Sequence, residues 1–129
     1  MYIEHVAIWT KDIERLRAFY EMYFEVQTGE KYVNPKRGFE FYFLQFVSGP
    51  RLELMSLSTI PQTRDNIDWQ FTGIIHLAFS VGSEPQVDQL TERLDRDSYR
   101  TVDGPRHTGD GCYKNVVFAP DGNRIEITT

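Results

Sequence analysis

Two short phrases of this 129-residue chain occur twice, and each carries a residue able to bind a metal ion or move a proton. His5-Val6-Ala7-Ile8 returns as His76-Leu77-Ala78-Phe79, and Arg51-Leu52-Glu53-Leu54 returns as Arg124-Ile125-Glu126-Ile127. Forty-eight residues separate His5 from Glu53, and fifty separate His76 from Glu126. A lone strand histidine is ordinarily a packed or surface residue, and a lone glutamate a solubilising one. Their joint recurrence in the same order marks a duplicated module of some 55 to 65 residues and favours a shared site. Two imidazoles and two carboxylates form a borderline donor set, better suited to Ni, Co, Zn, Mn or Fe than to Ca or Mg. Two waters would complete an octahedron.

The elements around these residues must present them on one face. Residues 3–9 alternate as a strand, which sets His5 with Ile3, Ala7 and Trp9 and opposes Val6 and Ile8. Asp12 can cap a helix running to residue 24 or 25, because Ile13, Leu16, Tyr20, Tyr23 and Phe24 recur at helical steps. Strands are predicted at 30–33, 39–47 and 51–57. Residues 59–72 read as a linker, with Trp69 and Phe71 anchoring its end. The second half repeats the order: a strand over 73–81, a capping box at Ser83-Glu84-Pro85-Gln86, and a helix with Val87, Leu90 and Leu94 on one face. A short strand at 99–102 and a loop over 103–111 follow. Strands 112–119 and 123–128 then pair through the turn Pro120-Asp121-Gly122. By parity, Ile75, Leu77, Phe79 and Val81 pack on the helix while His76 points away, and Glu53 and Glu126 oppose their leucine and isoleucine neighbours.

The fold class is therefore α+β. One domain, 1–129, is built from two β-α-β-β-β modules, 1–58 and 73–129, whose curved mixed sheets carry helices on their outer faces and surround a metal site on the concave side. Bare carboxylates in such a partly dry cavity would be costly, and a divalent cation compensates them directly.

Composition narrows the classes. The chain is 40% apolar and 26% charged, which excludes disorder and rod-like assemblies. A net charge of −5 gives no general field for nucleic acid. No apolar run approaches the roughly 20 residues that span a bilayer, and the first residues lack a signal peptide's pattern, so a cytoplasmic protein without membrane association is expected. The one cysteine, Cys112, fits a reducing compartment and a packing role.

The motifs Ile3-Glu4-His5-Val6-Ala7-Ile8, Phe19-Tyr20, Arg51-Leu52-Glu53-Leu54, Gly73-Ile74-Ile75-His76-Leu77-Ala78-Phe79 and Pro120-Asp121-Gly122-Asn123-Arg124-Ile125-Glu126-Ile127 resemble the glyoxalase, bleomycin-resistance and dioxygenase group, the vicinal oxygen chelate superfamily. The order His, Glu, His, Glu is similar to glyoxalase I, lactoylglutathione lyase. This resemblance implies that His5, Glu53, His76 and Glu126 ligate one divalent metal, with Ni, Co or Zn foremost. It also implies a homodimer and a small-molecule substrate, the hemithioacetal of an α-ketoaldehyde with glutathione or another thiol. The implied reaction, known for methylglyoxal detoxification, gives a 2-hydroxyacyl thioester by proton transfer through a metal-bound enediolate. Glu126 is the implied base, with Glu53 as its symmetry mate and second base.

The chain also departs from that pattern. Trp9 stands where small bacterial relatives commonly carry Arg, and Leu57 stands where they carry Asn, both residues of glutathione recognition. Arg37, Arg64, Arg106, His107 and Lys114 are candidates to hold a carboxylate or phosphate, against an ordinary reading as exposed surface charge. Phe39, Phe41 and Phe43 alternate on one strand, where they line an apolar pocket or pack in a core. The competing functions are thiol transfer to fosfomycin, extradiol ring cleavage, epimerisation beside a thioester, and antibiotic binding without catalysis.

Overall fold

The computed structural model describes all 129 residues. The chain divides into two compact units, Met1–Gln62 and Thr63–Thr129. In the first, the elements are β1 (His5–Thr10), α1 (Ile13–Tyr23), β2 (Gln27–Thr28), β3 (Tyr32–Asn34), β4 (Phe39–Gln45) and β5 (Arg51–Leu57). In the second they are β6 (His76–Ser80), α2 (Glu84–Arg96), β7 (Thr101–His107), β8 (Tyr113–Phe118) and β9 (Arg124–Thr128). Neither helix is long and apolar enough to cross a membrane.

Each unit pairs its first strand with its last. The sheet orders are β1-β5-β4-β2, with β3 also on β4, and β6-β9-β8-β7. The pairs β1/β5 and β6/β9 are parallel, so a helix must carry the chain back across one face. The apolar alternation decides which face. Leu52 and Leu54 on β5, with Leu44 on β4, are buried with Leu16 and Tyr20 of α1, which packs on β5. In the second unit Ile125, Ile127 and Val117 are buried with Val87 and Leu94 of α2. Each such leucine, isoleucine or valine stabilises the fold by roughly 1.5–3 kcal/mol. The helix-facing layer also holds Asn115, fully buried, whose Nδ2 donates to Thr91 Oγ1 at 2.9 Å, and that hydroxyl donates to the Val87 carbonyl at 2.7 Å.

Several expectations are corrected. β1 begins at His5 rather than at residue 3, because only Glu4 O joins the ladder ahead of it, accepting from Arg51 N–H at 3.1 Å. β6 likewise begins at His76, and Ile75 is exposed instead of packing on the helix. The expected strand at 30–33 falls at β3, Tyr32–Asn34, and an unexpected two-residue strand, β2, precedes it; both pair with β4. Asp12 caps α1 as expected, its Oδ1 accepting from Arg15 N–H at 3.0 Å. The box at Ser83 does not form: Ser83 Oγ donates to the Gln86 side-chain oxygen at 2.7 Å, and the turn is closed by Gln86 N–H to the Ser83 carbonyl. Trp69 and Phe71 are largely exposed and do not anchor the linker. Asn66 does so: its side chain accepts from the Asp68 and Trp69 N–H groups and its carbonyl accepts from Arg124 Nη2 at 2.5 Å.

The largest correction is β7, which continues through Gly104-Pro105 to His107 where a loop was expected. Register shifts around Asp103 and Arg106 let the strand absorb a proline without losing β8. Gly104 is required there. Its φ is +105°, and a Cβ would stand 2.6 Å from the Lys114 carbonyl oxygen and 3.1 Å from Asn115 Cα. Gly104→Ala should therefore cost about 2 kcal/mol or more. An unchanged midpoint in urea unfolding would contradict this account of β7.

Candidate metal centre

The site begins with register. In the parallel pair of the first unit His5 lies opposite Arg51 and Ala7 opposite Glu53; in the second, His76 lies opposite Arg124 and Ala78 opposite Glu126. Neighbours across a parallel pair project to the same side, so each imidazole and carboxylate sit diagonally on the face turned away from the helix, with a small alanine between them. The separations agree: His5 Nε2 to Glu53 Oε2 is 3.6 Å, and His76 Nε2 to Glu126 Oε2 is 3.7 Å.

These distances fit a cation better than a hydrogen bond. Both exceed hydrogen-bonding range, and both lie within the roughly 4.2 Å that two donors, each about 2.1 Å from one ion, can span. The carboxylates are mostly shielded, with 14% of the Glu53 side chain and 13% of the Glu126 side chain exposed. The chemistry of the donors therefore suits a divalent transition metal. No group of three or more His, Cys, Asp or Glu side chains is arranged around one point to hold an ion, and each unit presents a pair.

The two pairs differ in their supports. Glu4 Oε2 contacts His5 Nδ1, and Glu4 Oε1 accepts from Arg51 Nε at 2.8 Å. A carboxylate has no proton to give, so in the neutral ring Nδ1 carries the hydrogen and Nε2 keeps its lone pair facing Glu53. The hydrogen bond from His5, reinforced by Arg51, holds the Glu4 carboxyl below its ordinary range. Arg51 in turn lies 3.9 Å over the Phe43 ring, which meets His5 edge-on at 5.6 Å. In the second unit Ile75 stands where Glu4 stands, so His76 gains no carboxylate from its neighbour.

Glu126 instead has a cation. Lys114, on β8, brings Nζ within 3.3 Å of Glu126 Oε1 and 2.8 Å of Asp110 Oδ2. Asp110 is fixed by the turn before β8, its Oδ1 accepting from Thr108 Oγ1 at 2.5 Å and from Cys112 N–H at 3.2 Å. The Lys114 ammonium, Thr108 and Cys112 together push the Asp110 carboxyl far below its usual range. Asp110 foremost, and Glu126 after it, raise the Lys114 pKa above its ordinary value.

The remaining candidates divide clearly. Trp9 meets Phe39 edge-on at 6.3 Å and Leu57 pairs with Phe39 in register, so both border the His5–Glu53 pair with apolar surface. Phe39, Phe41 and Phe43 lie on this open face, not in the helix-packed core, and Phe41 stacks on Tyr32 at 4.8 Å. Lys114 is only 15% exposed, which corrects its reading as surface charge. Arg106 is ion-paired with Asp103 at 2.5 Å, Arg37 is exposed in the turn between β3 and β4, and Arg64 is exposed in the segment before β6. His107 lies 3.7 Å from Glu84, also exposed. Cys112 is a free, half-buried thiol.

Glu4 and Asp110 escaped the sequence reading. Strand parity assigns Glu4 to the face opposite His5, yet the backbone before His5 is not a strand and lets its side chain turn to Nδ1. Its place beside a candidate ligand was the available sign.

Residues 2–127 match the Glyoxalase/Bleomycin resistance protein/Dioxygenase superfamily. The chain belongs to this superfamily. Its α+β fold of two similar modules is the superfamily's own, and members typically bind a divalent metal. The sequence is 27% identical over 132 residues to the uncharacterized protein YqjT of Bacillus subtilis (strain 168), covering 97% of this chain and 94% of that protein. A possible glyoxalase from Bacillus cereus has a similar structure, with a TM-score of 0.75, 27% identity and coverage of 100% and 99% of the two chains. The trypanothione-dependent glyoxalase I of Leishmania major shares the fold, with a TM-score of 0.75 at 21% identity, over 98% of this chain and 85% of that one.

The Glu4 contact makes a prediction for this superfamily member that needs no metal. Nitrogen-15 NMR should show His5 in the Nδ1–H tautomer, and Glu4→Ala should shift it to a mixture while His76 stays unchanged. Equal tautomer populations at His5 before and after the substitution would refute the orienting role.

Proposed function

We propose that this protein is a metal-dependent lyase of the glyoxalase I type, isomerising the hemithioacetal of an α-ketoaldehyde and a thiol to a 2-hydroxyacyl thioester. His5, Glu53, His76 and Glu126 are its metal ligands. The observation that carries this reading is the same His–Glu pair, at the same register and nearly the same separation, in both units. Fold and superfamily agree with it. A divalent metal, with Ni, Co or Zn foremost, supplies Lewis acidity toward the vicinal oxygens of such a substrate.

The protein's own task is proton transfer between adjacent carbons. A carboxylate oxygen of Glu126 takes the proton from the carbon bearing sulfur and hydroxyl and returns it to the former ketone carbon, while the hydroxyl proton passes to the former ketone oxygen, so atoms and charge balance in the product. Glu53 is its symmetry mate and can serve the opposite face. Phe43 beside Glu53 keeps water from that carboxylate and strengthens the electrostatics around it. Trp9, Leu57 and Phe39 give the border an apolar character, which favours a thiol adduct less polar than glutathione. A homodimer of this chain is the assembly proposed, in keeping with the superfamily's habit.

Turnover of methylglyoxal–glutathione hemithioacetal, and of adducts with less polar thiols, should appear when Ni, Co or Zn is supplied and vanish with a chelator. Glu126→Gln should lower kcat by roughly 100-fold or more. Full turnover by Glu53→Gln would reduce the required ligand set to His5, His76 and Glu126. Inactivity toward every hemithioacetal in protein loaded with each metal would refute the lyase reading.

A further inference from the structure

The two pairs carry different charge. Glu53 faces His5 Nε2 at 3.6 Å, and its strand neighbours on the open face are Ala7 and Phe43. Glu126 faces His76 Nε2 at 3.7 Å and is ion-paired with Lys114, which occupies the position on β8 that Phe41 occupies on β4: Lys114 lies opposite Thr128, and Phe41 opposite Met55. Duplication has thus left an ammonium at one pair and an aromatic ring at the other. That ammonium is held by two carboxylates at once, Glu126 at 3.3 Å and Asp110 at 2.8 Å. The Asp110 contact is the shorter, and Asp110 is itself fixed by Thr108 and Cys112, so Lys114 has a second berth that does not depend on Glu126.

We propose that Lys114 is a cation already resident at the His76–Glu126 pair, which must yield Glu126 and retire to Asp110 before that carboxylate can serve a divalent ion. The inference rests on the reading of Glu126 as a metal ligand. Its physical basis is like-charge repulsion: an ammonium within hydrogen-bonding distance of a ligand oxygen lies only a few ångströms from any ion on that oxygen, in a shielded site where screening is weak. Lys114 thereby neutralises Glu126 when no metal is bound, and it lowers the affinity of that pair relative to His5–Glu53. The first pair, with His5 oriented by Glu4 and no ammonium beside Glu53, takes the ion first.

The test is a zinc titration of the full chain after chelator treatment, in competition with a chromophoric chelator at fixed pH and salt. Lys114→Met, which keeps the aliphatic stem, should bind zinc about tenfold more tightly than wild type. Lys114→Arg should match wild type. Asp110→Asn should bind more weakly, because the ammonium then has Glu126 as its remaining carboxylate. Lys36→Met, removing an exposed cation in the turn between β3 and β4, should leave affinity unmoved. Equal or weaker affinity in Lys114→Met, in protein that retains the wild-type circular dichroism, would overturn the inference alone. Absence of zinc binding in wild type would overturn the metal reading and this inference with it.

Discussion

The parallel pairing of first strand with last is the constraint on which the rest depends. In each unit it fixes His opposite Arg and Ala opposite Glu, so a one-residue slip would send imidazole or carboxylate to the helix side. Parallel neighbours cannot be joined by a tight turn, and the return path is therefore a helix lying on one face of the sheet. That helix takes the leucine, isoleucine and valine side chains and leaves the opposite face to the polar residues. Chemistry and core are separated by the same alternation.

Within this shared frame the two halves have diverged at the positions next to the donors. The first has Glu4, Arg51 and Phe43 forming a chain of contacts that ends on the far nitrogen of His5. The second has Lys114 and Asp110 acting on the carboxylate. One set of contacts orients an imidazole, and the other balances a negative charge. The same strand register thus holds two electrostatically different pairs.

Much of this was legible in the sequence because strand parity and duplication are strong regularities. The phrases around His5, Glu53, His76 and Glu126 placed each donor on its strand, and β5 falls on the residues expected, Arg51–Leu57. The misreadings share a cause: they occurred where tertiary contacts outweigh local preference. Gly104-Pro105 reads as a loop, yet β7 accommodates it by shifting register on β8. Trp69 and Phe71 look like anchors by size, whereas the small polar Asn66 does the anchoring through hydrogen bonds to its own turn and to Arg124. Glu4 was hidden because periodicity assumes a strand that has not yet begun, and the contact of Lys114 with Glu126 because charge alone does not reveal which face of a strand is shielded.

Joining the ends of each unit has a kinetic consequence. His5 and Glu53 meet only when a loop of nearly fifty residues has closed, and the same holds for His76 and Glu126. Such non-local pairing forms late and slowly compared with helices and hairpins, because loop-closure entropy is lost before the contact compensates it. During synthesis His5 and His76 each precede their glutamate by most of a module, so until a unit's last strand emerges its imidazole has no carboxylate across the sheet. The His–Glu juxtaposition therefore belongs to the finished fold, after the last strand of a unit has docked against the first.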